Sequence, residues 1–329
     1  MSTPATAPHV AENTVQRLLL AAPRGYCAGV HRAVQTVERA LELHGPPVYV
    51  RKEIVHNKSV VAQLREQGAI FVEDETEIPP GAVTVFSAHG IAPSVRVNAQ
   101  ALQLRTIDAT CPLVTKVHRE ALHFARDGHT IVLIGHEGHE EVEGTMGEAP
   151  DHIVLVQNVQ DVDELVVEDP ERLAYVTQTT LSVDETSAIL ARLKERFPAI
   201  VGPRTDDICY ATTNRQAAVR ELAGKCDLLL VIGSRNSSNS VRLVEVAHDL
   251  GTEAYLIDGK DEVREEWLAG KRTVGISSGA SAPESLVKDL VGFFRARGVD
   301  DVSTPRTVRE DVRFMLPKEI REVVPAGAS

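Results

Sequence analysis

The stretch Asp108-Ala-Thr-Cys111-Pro-Leu-Val-Thr-Lys-Val-His118 decides how the rest of the chain is read. A short apolar run ends, a cysteine follows, and Pro112 then stands where a helix begins without losing a backbone hydrogen bond. A thiol at a helix start faces the positive end of the peptide dipoles, which is expected to lower its pKa and favour the nucleophilic, metal-binding thiolate. The same context recurs in Pro23-Arg-Gly-Tyr-Cys27-Ala-Gly-Val30 and in Asp206-Asp-Ile-Cys209-Tyr-Ala-Thr-Thr-Asn-Arg-Gln216. Three helix-start cysteines suggest one shared site.

The cysteines are separated by 84 and 98 residues, about the size of a small α/β unit, and a helical pattern ending near Gly45, Gly128 or Gly224 follows each. Between them apolar strand patterns alternate with amphipathic helices, as at Thr130–Ile134 followed later by Leu173–Val176, and at Leu228–Ile232, Ala254–Ile257 and Thr273–Ile276. The expected fold is therefore α/β with largely parallel sheets, built as three similar modules in a pseudo-threefold arrangement. Their expected bounds are residues 17–108 with Cys27, 109–206 with Cys111 and 207–303 with Cys209. Residues 1–16 are expected to be disordered, and the tail 304–329 to wrap back on the first module, with Val312–Pro317 as a late strand or an extended strap.

Composition narrows the function. In 329 residues, 43% hydrophobic and 25% charged, there is room for several cores without disulfide staples. A formal net charge of −12 argues against broad nucleic-acid binding, so an anionic ligand must be met by a local set of donors. There is no signal-type segment and no run long enough for a membrane span, and the expected location is the cytoplasm, where the four cysteines stay free or metal-bound. Cys226, at the start of a buried-strand pattern, reads as a small core residue.

Six polar clusters directly follow strand patterns, where parallel sheets bind ligands. They are Glu53-Ile-Val-His56-Asn57, Ser87-Ala-His89-Gly90, Gly135-His-Glu-Gly-His139-Glu-Glu141-Val-Glu-Gly144, Thr177-Gln-Thr179-Thr180, Gly233-Ser-Arg-Asn-Ser237-Ser238-Asn239-Ser240 and Ser277-Ser-Gly-Ala-Ser281-Ala-Pro283. His56, His89 and His139 in such loops suit a phosphorylated ligand, whereas His44 and His123 read as surface residues. Ser237 and Ser238 lie at a helix start, as Ser281 does, and a helix start is an anion site as well as a simple cap. No nucleotide P-loop is present. Ser182 and Glu185 read as a capping box, leaving Thr179 and Thr180 for the cavity. Glu141 is the best placed proton donor; Glu140 is expected to point elsewhere, and Glu143 stays open.

From the residues alone, three thiolates fit either an iron–sulfur cluster with one open iron or a Cys₃ zinc site. Two other classes compete: a zinc-dependent phosphoester hydrolase using His136, His139 and Glu141, and a non-enzymatic iron–sulfur electron carrier.

The motifs around Cys27, Cys111, His139-Glu-Glu141, Thr177-Gln-Thr179-Thr180-Leu-Ser182, Cys209 and Ser237-Ser238-Asn239 closely resemble those of the 4-hydroxy-3-methylbut-2-enyl diphosphate reductase (IspH/LytB) family, from about Leu18 to Pro317. The resemblance implies a trefoil of three α/β modules around a [4Fe–4S] cluster held by Cys27, Cys111 and Cys209, with one iron open to the substrate hydroxyl. It implies reductive dehydroxylation of the allylic diphosphate, with ferredoxin or flavodoxin as electron donor. It also implies that Glu141 delivers protons with Thr179 as partner, and that His56, His89, His139, Thr180, Ser237, Ser238, Asn239 and Ser281 bind substrate. Two positions depart from the family pattern. Asp207 stands where Thr is usual, and its charge is expected to lower the cluster potential; Glu140 replaces a usual Pro and loosens its loop.

Overall fold

The computed structural model describes residues 14–305 and 308–321. Its elements follow one another as alternating strands and helices, and three separate parallel sheets result.

The first described elements are β1 (Arg17–Leu20) and α1 (Ala28–His44). Then come β2 (Val48–Arg51), α2 (Lys58–Glu66), β3 (Ala69–Val72), β4 (Val83–Phe86), α3 (Pro93–Ala101) and β5 (Arg105–Asp108). Strands β2 to β5 pair in the order β3-β2-β4-β5. The next unit runs through α4 (Pro112–Arg126), β6 (Thr130–Ile134), α5 (Glu140–Glu148), β7 (Ile153–Val156), α6 (Val159–Glu164), β8 (Leu173–Thr177) and α7 (Val183–Arg196), with strand order β7-β6-β8. The last holds α8 (Tyr210–Ala223), β9 (Leu228–Ile232), α9 (Ser238–Asp249), β10 (Ala254–Ile257), α10 (Glu265–Leu268), β11 (Thr273–Ser278), α11 (Glu284–Arg295) and β12 (Asp301–Ser303). No helix among the described residues is long and apolar enough to cross a membrane.

Strand β9 shows why the sheets are parallel and central. All five of its residues are buried, so the run Leu-Leu-Leu-Val-Ile meets helices on both faces. Leu228, Leu230 and Ile232 join the core under α11, while Leu229 and Val231 join the core under α8 and α9.

The third sheet differs from the expected bounds. Its order is β10-β9-β11-β1-β12, so β1, placed by sequence at the head of the first module, pairs with β11 and β12 of the third. Leu18 and Leu19 explain this, because they point to opposite faces and enter the two cores flanking that sheet. Helix α1 then crosses to the first sheet, where Ala33, Val37 and Ala40 pack with Val48, Val50 and Val85. Cys27 therefore sits on the link between two sheets.

The disordered leader expected over residues 1–16 does not extend to residues 14–16. Val15 is buried in the third-sheet core, Thr14 Oγ1 donates to the Leu268 carbonyl, and the Gln16 amide donates to the Arg272 carbonyl. Residues 1–13 lie outside the described residues. The described tail, 308–321, is an extended strap ending in a 3₁₀ turn at Lys318–Ile320, with no strand at Val312–Pro317. Ile320 and Leu316 pack into the α1 core, Arg32 Nε donates to the Met315 carbonyl, and Glu310 pairs with the fully buried Arg215 on α8 at 3.1 Å. The remaining tail residues, 306–307 and 322–329, lie outside the described set.

Candidate active site

Cys27, Cys111 and Cys209 are the N-cap residues of α1, α4 and α8. All four cysteines of the chain are free. The polar clusters lie just beyond the carboxyl ends of β2, β4, β6, β8, β9 and β11, so loops from all three sheets meet the three helix starts. They enclose about 660 Å³ of space, part of it open to solvent. Its wall contains Cys27, Cys111, Cys209, Glu141, Thr179, Thr180, His56, His89, His139, Ser237, Ser238, Asn239 and Ser281, so every residue that the family resemblance implied for the site reaches one cavity, whereas His136 and Glu143 do not.

The thiols depart from expectation. Burial pushes Cys111 up to about 12 and Cys209 up to about 11, with Cys27 adding to both, and burial also raises Cys27 itself. Desolvation outweighs the helix-start effect here, so thiolates at these positions need a cation between them. The spacing of the thiols bears on which cation suits them. Among the described residues, the one trio of His, Cys, Asp or Glu whose ligand atoms all lie within 4.8 Å of one another is His56, His89 and Glu140, not the cysteines. The three sulfurs are thus spread wider than thiolates on one zinc at about 2.3 Å each. Gly29 leaves room beside them, since a Cβ there would stand 2.7 Å from Cys111 Sγ and 3.8 Å from Cys27 Sγ. The donor set fits a multi-atom cluster.

Glu141 is buried, and its carboxylate accepts from the Thr179 amide at 2.9 Å and from Thr179 Oγ1 at 2.9 and 3.0 Å. Burial raises its pKa despite those bonds, which favours the protonated acid. Glu143 is excluded from that role, being largely exposed and ion-paired with Lys52 at 2.9 Å.

The three histidines form a packed group opposite. His56 and His89 stack with ring centroids 4.0 Å apart, and His139 meets both edge-on at 5.6 and 6.0 Å. Ser237 caps α9, its Oγ accepting from the Ser240 amide; Ser238 Oγ donates to the Thr180 carbonyl; Ser281 Oγ donates to the His56 carbonyl. Asn239 is held by the Ala280 amide and by Thr212.

The family described as LytB protein matches residues 18–295. The 4-hydroxy-3-methylbut-2-enyl diphosphate reductase of Rhodococcus opacus is 60% identical over 307 residues, covering 93% of this chain and 91% of that one. Its namesake from Nocardia farcinica is 59% identical over 310 residues, 94% and 92% of the two chains. The chain belongs to the LytB family. Among solved structures, the E-1-hydroxy-2-methyl-but-2-enyl-4-diphosphate reductase of Plasmodium falciparum superposes on this family member with a TM-score of 0.90 at 40% identity, covering 93% of this chain and 97% of that one. A second reductase structure, described as the terminal enzyme of the non-mevalonate pathway, gives 0.62 at 31% identity over 86% and 100%.

Several finer expectations change. His136, His139 and Glu141 do not converge as zinc ligands in this LytB member: His136 Nε2 lies 3.1 Å from the Arg242 guanidinium, and His139 Nδ1 caps α5 by accepting from the Glu141 amide. Asp207, two residues from Cys209, is not a bare charge, because Lys116 Nζ pairs with it at 2.9 Å and the Thr177 amide donates to it at 2.9 Å. Glu140 does point away from the cavity, as expected, and its carboxylate lies on His89 Nδ1 at 3.0 Å and on Ser87 Oγ at 3.2 Å. Thr212 escaped the sequence reading. Its hydroxyl lies 3.2 Å from Cys209 Sγ and donates to the Thr179 carbonyl at 3.1 Å, linking a cluster-ligand candidate to the acid's partner. The available signal was its place one helical turn after Cys209.

Proposed function

We propose that this chain reduces (E)-4-hydroxy-3-methylbut-2-enyl diphosphate to isopentenyl and dimethylallyl diphosphates, the last step of the non-mevalonate isoprenoid pathway. Overall, the substrate takes up two electrons and two protons, its C–O bond breaks, and water leaves. The observation that carries this reading is the single cavity with three thiols on one side, a buried acid beside them and a histidine–serine wall opposite. A phosphoester hydrolase has no matching zinc ligand set at His136, His139 and Glu141, and a plain electron carrier has no use for the polyanion wall.

Cys27, Cys111 and Cys209 would hold a [4Fe–4S] cluster, which when bound supplies electrons one at a time and a Lewis-acidic iron that weakens the C–O bond. Glu141, whose carboxyl burial biases towards the protonated form, gives protons to the departing oxygen and to the allyl carbon, and the Thr179 hydroxyl and amide hold its carboxyl in line. His56, His89, His139, Thr180, Ser237, Ser238, Asn239 and Ser281 hold the diphosphate, with Ser237 and Ser238 placed at the positive end of α9. Packed apolar walls at Val30, Val55, Leu113 and Val114 keep water from the allyl group. Electrons come from a ferredoxin or flavodoxin in the cytoplasm.

The test is anaerobic turnover of the allylic diphosphate with a chemical reductant. Brown protein with iron and sulfide in near-equal amounts and formation of both products is expected, and Cys209→Ser should lose colour and turnover together. Colourless, zinc-loaded protein that releases phosphate would overturn the reading.

A further inference from the structure

His89 and Glu140 come from different sheets. His89 follows β4, and Glu140 is the first residue of α5, one position before the buried acid Glu141. Taken alone, Glu140 is one of three acids in the first turn of α5, where any carboxylate is favoured. Its contacts are more specific than that. The carboxylate lies 3.0 Å from His89 Nδ1 and accepts from Ser87 Oγ, and both residues are largely buried, at 14% and 11% side-chain exposure. Glu140 does not reach the cavity, but His89 does. With Nδ1 tied back, Nε2 is the ring nitrogen left for a ligand.

A neutral ring donating through Nδ1 would present a lone pair at Nε2, which repels a phosphate oxygen. Only the imidazolium donates from both nitrogens. We propose that Glu140 is a positioning residue for the diphosphate: by accepting from Nδ1–H it keeps His89 in the doubly protonated form whose Nε2–H faces the anion. This rests on the diphosphate reading of the cavity.

The surrounding charges agree. Burial works against a charge on His89, but the Glu140 carboxylate, with Glu53 beyond it, raises its pKa above the ordinary 6.5. The Glu140 carboxyl is correspondingly held down at about 2 by His89, His56 and Lys52 despite burial. His56 has its own carboxylate, Glu53, at a longer 3.3 Å, and burial with the His89 charge lowers it; His139, with no such partner, is lowered to about 3. Of the three packed rings, the one backed by Glu140 is the one whose surroundings favour the charged form. Glu140 does this without touching substrate.

The test measures binding of inorganic pyrophosphate to cluster-loaded protein by calorimetry from pH 6 to pH 9, under anaerobic conditions. Glu140→Gln keeps the shape and the Ser87 bond but removes the charge. Removing the Glu140 charge lowers the His89 pKa, so the loss of binding should be smallest at pH 6 and grow as pH rises, towards about tenfold for each unit by which that pKa falls. Glu140→Asp, which keeps the charge, should restore most of the pH 8 affinity. In a His89→Asn background the Glu140→Gln change should have no pH-dependent effect. Wild-type-like or tighter pyrophosphate binding by Glu140→Gln at pH 8, or an equal loss in the His89→Asn background, overturns the proposal alone. No pyrophosphate binding by the unsubstituted protein at any pH overturns the diphosphate reading and this proposal with it.

Discussion

Replacing Gly29 by alanine separates cluster assembly from folding. Gly29 is the second residue of α1, and a Cβ built there stands 2.7 Å from Cys111 Sγ and 3.4 Å from Cys111 Cβ. Restoring an ordinary contact requires the sulfur to move by about 1 Å. The sulfur is the end of a rotatable side chain next to a cavity, so it can turn away at modest cost. Overpacking costs about 1–3 kcal/mol, and the better helix propensity of alanine returns up to about 1 kcal/mol. The apoprotein should therefore stay folded, within about 2 kcal/mol of wild type by urea denaturation. Metal ligation is far less tolerant, since ligand distances must hold to about 0.2 Å. Gly29→Ala should retain severalfold less iron and sulfide after anaerobic reconstitution, while Gly224→Ala, whose Cβ meets nothing within 4 Å, should load normally. A Gly29→Ala protein with full iron and sulfide and an unchanged reduction potential would refute the placement of Cys27 and Cys111 as co-ligands.

Three further outcomes follow from other contacts. Glu141→Gln keeps the Thr179 amide bond but not the proton, so turnover should fall by about 10²–10⁴ with iron content unchanged, and retained turnover would move the acid elsewhere. Glu310→Ala strands the fully buried Arg215 and should cost about 3 kcal/mol in urea denaturation; a change near zero would mean the tail strap contributes nothing to the third unit. Asp207→Asn should destabilise by about 1–3 kcal/mol through lost bonds to Lys116 and Thr177, yet leave the cluster's midpoint potential unmoved, and a clear positive shift would show that Lys116 fails to screen the charge.

Much of the site was legible before any coordinate. A helix start after a strand, marked by Cys111-Pro112, is a local signal of a few residues, and so is a polar cluster after an apolar run such as Ser87-Ala-His89-Gly90. These signals located all three caps and the six loops, because strand, turn and cap are set by neighbours in the chain. Of the two readings of the tail, the extended strap holds and the late strand does not: Val312–Pro317 alternates like a strand, but among the described residues no partner edge comes to it, and its anchors are Arg32 and the α1 core.

By itself, the sequence determined the parallel α/β character of the units, the three cysteine caps and the polar loops that could face a ligand. Only the tertiary structure decided which sheet takes β1, because short apolar strands carry no record of their partner and Leu18 and Leu19 needed cores on both faces. It alone decided that the cap thiols are raised by burial, since desolvation depends on everything packed around a group. It also set the charges of Glu140 and Asp207, whose partners His89 and Lys116 lie 51 and 91 residues away in the chain. Ionisation is a property of surroundings, and those surroundings are assembled by contacts that no local pattern encodes.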